Sequence, residues 1–190
     1  MNSTNNTPIS EELNSPDTSA NVRKSSLCKA NSTCNKSATD VTLKQLFEQR
    51  TSDERAHNIA QKMLDNCSFS AHLGIELVDA RAHYSVCKMK VESKHTNGHD
   101  TCHGGAIFSL ADTTFAHLCN ANNQVVVGHM CTIAYWQPAL IGDELYAYAY
   151  ESGVYGRSGS YRVEVTRGKN GDILAEFQGF SRALKGKMHF

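Results

Sequence analysis

Asp112 and the pair Gly104 and Gly105 are the residues whose types and spacing could do chemistry. They lie in one stretch, residues 97–119, which reads NGHDTCHGGAIFSLADTTFAHLC. From Ala106 to Cys119 the apolar residues Ala106, Ile107, Phe108, Leu110, Ala111, Phe115, Ala116, Leu118 and Cys119 fall on all sides of a helical wheel, which predicts a helix wrapped by other structure. A carboxylate in the middle of such a helix is a weak helix former and is costly to bury unanswered, so Asp112 needs a role. At the helix start, Gly104 and Gly105 leave backbone N–H groups unshielded by side chains, and the helix dipole favours negative charge there. That is the outline of an oxyanion hole.

The spacing constrains how the two features could cooperate. Gly104 and Asp112 are eight residues apart (112 minus 104), roughly 12 Å along a helix. Groups acting on one carbonyl must each lie roughly 3 Å from a reacting atom. One helix therefore does not supply both to one substrate. Joint use demands two copies of the chain about a two-fold axis, which makes the dimer part of the mechanism.

Neighbouring residues offer other chemistries. His95, His99 and His103 recur every four residues, a metal-binding face if they were helical. Asn97, Gly98, Gly104 and Gly105 make the segment a loop instead, and no metal is expected. Cys102 precedes the glycines, but nothing beside it in sequence makes it a nucleophile. The structural alternatives are an Asp112 satisfied by backbone or a Thr hydroxyl across the dimer, and glycines that serve close helix–sheet packing.

Composition sets the background. The 190 residues favour one domain with a sizeable core, and 40% hydrophobic with 20% charged residues fits a globular protein. Lys plus Arg and Asp plus Glu are 19 each, so no net field draws in nucleic acid or an anionic membrane. Seven scattered cysteines without a C-x-x-C pair favour free thiols in a reducing compartment. No stretch is long and apolar enough to span a bilayer, and residues 1–20 lack the hydrophobic core of a signal peptide, so a cytoplasmic location is expected. In residues 1–40, eight Ser, five Thr and seven Asn make half of the segment, the composition of a disordered tail.

The elements that must position the candidate residues follow from periodicity. A short helix is expected from Asp40 as N-cap, with Leu43, Leu46 and Phe47 on one face, in a linker spanning 41–54. A second, amphipathic helix carries Ala56, Ile59, Ala60, Met63 and Leu64 and ends near Asn66. After Gly74 come two strand-like runs, Ile75 to Ala80 and His83 to Val91, and then the central helix. Val125 to Gln137 reads as one long strand bulged at Gly128 and closed by Pro138. Glu144 to Glu151 alternates Leu145, Ala147 and Ala149 against Tyr146, Tyr148 and Tyr150, the tyrosines forming an outer face toward another subunit. Gly153 to Gly159 reads as a loop, then a strand through Tyr161, Val163 and Val165, then a last strand from Ile173 to about Leu184. Two strands, a buried helix and four strands predict an α+β fold, an antiparallel sheet curled around one central helix. The domain would run 55–185, with a tail at 186–190.

Residues 97–119, together with CTIAYWQPALIGDELYAYA and GRSGSY, resemble the PaaI-like phenylacetyl-CoA and hydroxyphenylacetyl-CoA thioesterases of the hotdog-fold superfamily, over about Ala56 to Leu184. The resemblance implies hydrolysis of aryl- or arylacetyl-CoA thioesters in phenylacetate catabolism, with no metal or organic cofactor. It also implies a hotdog dimer joined through the sheet and usually paired into a homotetramer. By motif position the family's polarising glycine N–H falls at Gly104, its acid at Asp112, and its supporting loop Asn and His at Asn97 and His103. Gly105 and the loop of Arg157, Ser158 and Gly159 would contact the CoA ester. In related thioesterases a hydroxyl near the Gly128 region assists water, and Gly128, His129 and Met130 offer none. Two alternatives stay open. A hotdog hydratase or dehydratase would use His103 with Asp112, and a non-enzymatic acyl-CoA sensor would bind without turnover. For the sensor, residues 1–55 show no helix-turn-helix pattern and no basic surface for DNA.

Overall fold

The structure, a computed structural model, describes residues 38–189, with side chains from Leu43 onward. Most of the expected tail, with Cys28 and Cys34, lies outside the described residues. Among these residues three α-helices, α1 (Ala38–Asp65), α2 (Ser68–Leu73) and α3 (Gly104–Cys119), accompany six strands. These are β1 (Ile75–Arg81), β2 (Tyr84–Lys90), β3 (Gln124–Tyr135), β4 (Glu144–Tyr155), β5 (Ser158–Arg167) and β6 (Ile173–Met188). They form one antiparallel sheet in the order β1-β2-β4-β5-β6-β3, so β3 is an edge.

The sheet curls around α3 because the period-two residues of its inner face and the helix bury one another. Cys87 and Met89 of β2, Leu145, Ala147 and Ala149 of β4, and Val163 and Val165 of β5 share one core with Leu110, Ala111 and Phe115 of α3. Burying a Leu, Val or Phe side chain contributes about 1.5–3 kcal/mol, so this alternation fixes the register. On the outer face Tyr146 stacks on Tyr148, whose hydroxyl accepts the Asn170 N–H at 3.1 Å. Tyr150 meets the Tyr84 ring and lies under the Arg162 guanidinium.

Phe115 spaces the edge strand from the helix. Its ring sits where a Cβ on Gly179 would be 3.0 Å away and one on Gly128 3.1 Å away, and it packs on Tyr161 and Phe177. Glycine is needed at these two strand positions for the ring to approach. The register of β3 on β6 shifts between Gly128 and Met130, at the expected bulge. Phe115→Ala is expected to lower the free energy of unfolding by about 3–5 kcal/mol, read as a lower urea midpoint with an unchanged slope.

Four features differ from the sequence reading. First, α1 is one continuous helix where two segments with a linker at 41–54 are expected, and Asp40 lies inside it. Its two apolar faces point in different directions, roughly 140° apart at helical spacing, which is why the pattern reads as two helices. Ala56, Ile59 and Ala60 are buried, whereas Leu43, Leu46 and Phe47 are 65%, 61% and 71% exposed. Second, α2 has no periodic signal; Cys67 caps its start and Gly74, at φ +67, ends it. Third, the expected loop at 153–159 is a hairpin, with β4 running to Tyr155 and β5 starting at Ser158. Fourth, β6 runs to Met188, past the expected boundary at 185.

Candidate active site

The chain enters α3 from a loop that folds on its own polar groups. The Asn97 Oδ1 accepts the N–H groups of His99 (2.8 Å) and Thr101 (3.4 Å), and its Nδ2 donates to Thr101 Oγ1 at 3.0 Å. Thr96 pairs with Cys102, and the His103 N–H donates to the His95 carbonyl at 2.7 Å. Asn97 therefore braces the loop within its own protomer. Buried His95 accepts the Glu92 N–H on Nδ1 at 3.0 Å, and burial holds its pKa below the ordinary histidine value. Burial pushes the Cys102 thiol up to about 11, which leaves little thiolate at neutral pH and argues against a nucleophilic role.

At the helix start the structure corrects one expectation. Only one of the two glycine N–H groups is open. His103 is the N-cap, extended at φ −62 and ψ 131, and its ring folds back so that Nδ1 accepts the Gly105 N–H at 2.8 Å. An accepting Nδ1 puts the proton of a neutral ring on Nε2. The Gly104 N–H has no acceptor among the described residues. On the other side of this residue, the Tyr135 hydroxyl donates to the Gly104 carbonyl at 2.8 Å, and a Cβ on Gly104 would lie 3.1 Å from the tyrosine ring. Glycine here lets the ring close over the helix start.

A second correction concerns the helix surface. The wheel predicts burial on all sides, yet Ser109, Asp112, Thr113 and Ala116 form a half-exposed stripe. That stripe walls a groove of about 260 Å³, closed opposite by Met63, Cys67, Phe69 and Ser70. Partial burial raises the Asp112 pKa above the ordinary carboxylate value, and a hydrogen bond from Cys131, with Sγ 3.9 Å from Oδ1, offsets part of the rise. His117 also lines the groove; burial pushes its pKa down to about 4, so it is neutral at neutral pH, with Nδ1 3.4 Å from Cys87 Sγ. A hollow beside His103 and Gly105 shares the walls Phe69 and Ser109 with this groove.

Arg157, Ser158 and Gly159 lie apart from both, in the β4–β5 hairpin against Leu118 and Cys119 at the far end of α3. The Arg157 side chain is exposed and its carbonyl accepts the Ala183 N–H at 2.8 Å. A Cβ at Gly159 would lie 2.6 Å from the Tyr161 ring, so only glycine fits there. The structure thus gathers Asn97, His103, Gly104 and Gly105 at one end of α3, the hairpin at the other, and Asp112 between them. Sequence reasoning missed Tyr135 and Cys131. Each meets its partner 31 or 19 residues away in the chain, beyond any local spacing signal.

A model of the Thioesterase superfamily matches residues 99–174. The chain is 34% identical over 132 residues to the acyl-coenzyme A thioesterase PaaI of Escherichia coli K12, covering 70% of this chain and 94% of that protein. Human acyl-coenzyme A thioesterase 13 is 32% identical over 112 residues, covering 57% and 80%. The solved structure of the E. coli PaaI protein from the phenylacetic acid degradation operon matches with a TM-score of 0.68 at 33% identity, covering 71% of this chain and 97% of that one.

Proposed function

Because the chain belongs to the thioesterase superfamily, with its hotdog fold, we propose that it hydrolyses acyl-CoA thioesters, with aryl- and arylacetyl-CoA esters as the preferred class. The observation that carries the reading is the pairing, on one helix, of an unaccepted Gly104 N–H at its start with a half-buried Asp112 on its open stripe. The Gly104 N–H polarises the thioester carbonyl of one bound ester, and Asp112 comes from the partner protomer. The β3 edge, paired only with β6 here, supports joining of the two copies through the sheet.

Two chemical routes use the same groups. In one, the Asp112 carboxylate takes a proton from water as the water oxygen attacks the carbonyl carbon. In the other, the carboxylate attacks directly, and water then cleaves the resulting anhydride. In both, the C–S bond breaks and CoA departs as a thiolate, whose low pKa makes strong acid assistance unnecessary. His103, with Nδ1 occupied by the Gly105 N–H, supports the helix start rather than proton transfer, which disfavours the hydratase alternative. The hairpin of Arg157, Ser158 and Gly159 serves the CoA side. Assembly as a homodimer or homotetramer, action within phenylacetate catabolism and a cytoplasmic location belong to the same reading. No helix among the described residues is long and apolar enough to cross a membrane.

A screen of the purified protein against phenylacetyl-, hydroxyphenylacetyl-, benzoyl- and straight-chain CoA esters, followed by free-thiol release, tests the reading. The aryl esters are expected to show the highest kcat/KM. Preference for long straight chains would remove the aryl assignment, and tight binding with no thiol release would point to the sensor.

A further inference from the structure

Four contacts fasten β3 antiparallel along α3, and two of them fall on the residues assigned to the chemistry. Near the helix end, Asn120 brackets Val126, its Nδ2 donating to the Val126 carbonyl at 3.0 Å and its Oδ1 accepting the Val126 N–H at 2.8 Å. Next, the Phe115 ring lies over Gly128. The Cys131 thiol then meets the Asp112 carboxylate at 3.9 Å, and the Tyr135 hydroxyl meets the Gly104 carbonyl at 2.8 Å. Cys131 and Tyr135 are four residues apart on the strand, roughly 13 Å. Gly104 and Asp112 are eight apart on the helix, roughly 12 Å. Because these spacings match, a strand lying beside the helix presents one side chain to each functional group.

We propose that Tyr135 and Cys131 are positioning residues for the thioester hydrolysis, Tyr135 holding the Gly104 amide in place and Cys131 holding the Asp112 carboxylate; this rests on the hydrolase reading above. Glycine has the widest backbone freedom of any residue, so an N–H donor carried by Gly104 keeps its aim only if something else fixes the residue. The tyrosine ring packs on Gly104 and its hydroxyl fixes the peptide that follows. A donor that wanders loses much of its value, since transition-state stabilisation depends on donors aimed in advance.

The Cys131 bond is the only side-chain hydrogen bond that the Asp112 carboxylate makes among the described residues. It favours the ionised carboxylate, the form both chemical routes need. Burial and the adjacent carboxylate raise the Cys131 pKa in turn, which keeps the sulfur protonated and able to donate. The other titratable groups around Asp112 are Cys119 on α3, pushed up to about 12, His117 on the same helix, down to about 4, and Cys67 across the groove. Cys119 and His117 are uncharged at neutral pH. Cys67 is lowered by its bonds to Ser70, at the start of α2.

The test uses the full chain and four variants. Tyr135→Phe keeps the ring and loses the hydroxyl; kcat on a phenylacetyl-CoA ester is expected to fall about tenfold with KM little changed, the signature of an interaction made in the transition state. Cys131→Ala is expected to lower kcat and move the acid limb of kcat/KM to higher pH, because the donor favouring the carboxylate is gone. Cys131→Ser restores the limb toward wild type. Two readouts need no turnover: the carbon-13 titration of the Asp112 carboxyl moves up in Cys131→Ala, and the nitrogen-15 order parameter of the Gly104 amide falls in Tyr135→Phe. Asp112→Asn identifies the carboxyl resonance by its loss. An active wild type with Tyr135→Phe and Cys131→Ala unchanged in kcat and acid limb overturns the proposal. Absence of thiol release by the wild type overturns the hydrolase reading instead, and an unmoved titration and order parameter then overturn the bracing contacts as well.

Discussion

Asp112→Asn is expected to lower kcat by at least about a hundredfold while leaving KM for the thioester nearly unchanged, the pattern of a group whose work is done only in the transition state. The substitution keeps shape and volume and removes only the ability to accept a proton or attack a carbonyl. It therefore separates chemistry from packing in a way that Asp112→Ala does not. The environment supplies an independent check. Because partial burial raises the carboxyl pKa, the acid limb of kcat/KM should lie above the ordinary aspartate value of about 3.9. The sign for stability runs the other way. A carboxyl with a raised folded-state pKa favours folding while protonated, and that contribution is lost as pH rises through the folded value. The ionised group thus strains the fold at neutral pH, so Asp112→Asn should unfold at the same or a higher temperature than wild type. A variant that keeps near-normal turnover removes Asp112 from the chemistry. One that loses turnover and stability together makes it a structural acid.

Much of this was legible in the sequence, and the misses have physical causes. The strands from Glu144 onward show because residues with one face in a core and one face outward alternate with period two, and Leu145, Ala147 and Ala149 do face α3. The helix start shows because paired glycines followed by an apolar run with one acid is a pattern that packing alone does not require. The engaged Gly105 N–H does not show in the sequence because a histidine ring can turn back on the backbone that follows it, a rotamer choice that residue identity does not encode. The open stripe of α3 is marked only faintly: Ser109, Asp112 and Thr113 do fall at i, i+3 and i+4 on one face, but apolar Ala116 lies on the same face, so the apolar residues read as wrapping the whole wheel. α1 reads as two helices because its apolar faces point different ways, whereas the polar turn between them continues the helix with the i,i+4 bonds Gln49 to Asp53 and Arg50 to Glu54. Cys131 and Tyr135 became visible only once β3 lay along α3, a tertiary contact with no local signature.

Mixing two inactive chains should restore activity, and this is the sharpest test of a site shared between protomers. Gly104→Val places a branched side chain where even a Cβ lies 3.1 Å from the Tyr135 ring, so the tyrosine is displaced and the N–H loses its aim. Losing such a donor typically costs about 3 kcal/mol in the transition state, or roughly a hundredfold in rate. Asp112→Ala is inactive for the separate reason argued above. In a hybrid dimer, one composite site combines the intact Gly104 of the first chain with the intact Asp112 of the second, while the other site carries both lesions. Random exchange makes half the dimers hybrid, each with one working site of two, so recovery should approach about a quarter of wild-type activity for a two-fold dimer. The geometry adds a constraint. If Gly104 of one copy faces Asp112 of the other, the two-fold axis passes between the two α3 helices at the level of Phe108, midway along the helix between those residues. A cysteine introduced beside that level on the open stripe, by Ser109→Cys, should then cross-link to the same cysteine of the other copy under mild oxidant. Exchange confirmed by native mass spectrometry with no recovered activity would place both groups on one protomer's substrate. A helix that holds them eight residues apart does not permit that for a single carbonyl, so one of the two residues would then have to leave the mechanism.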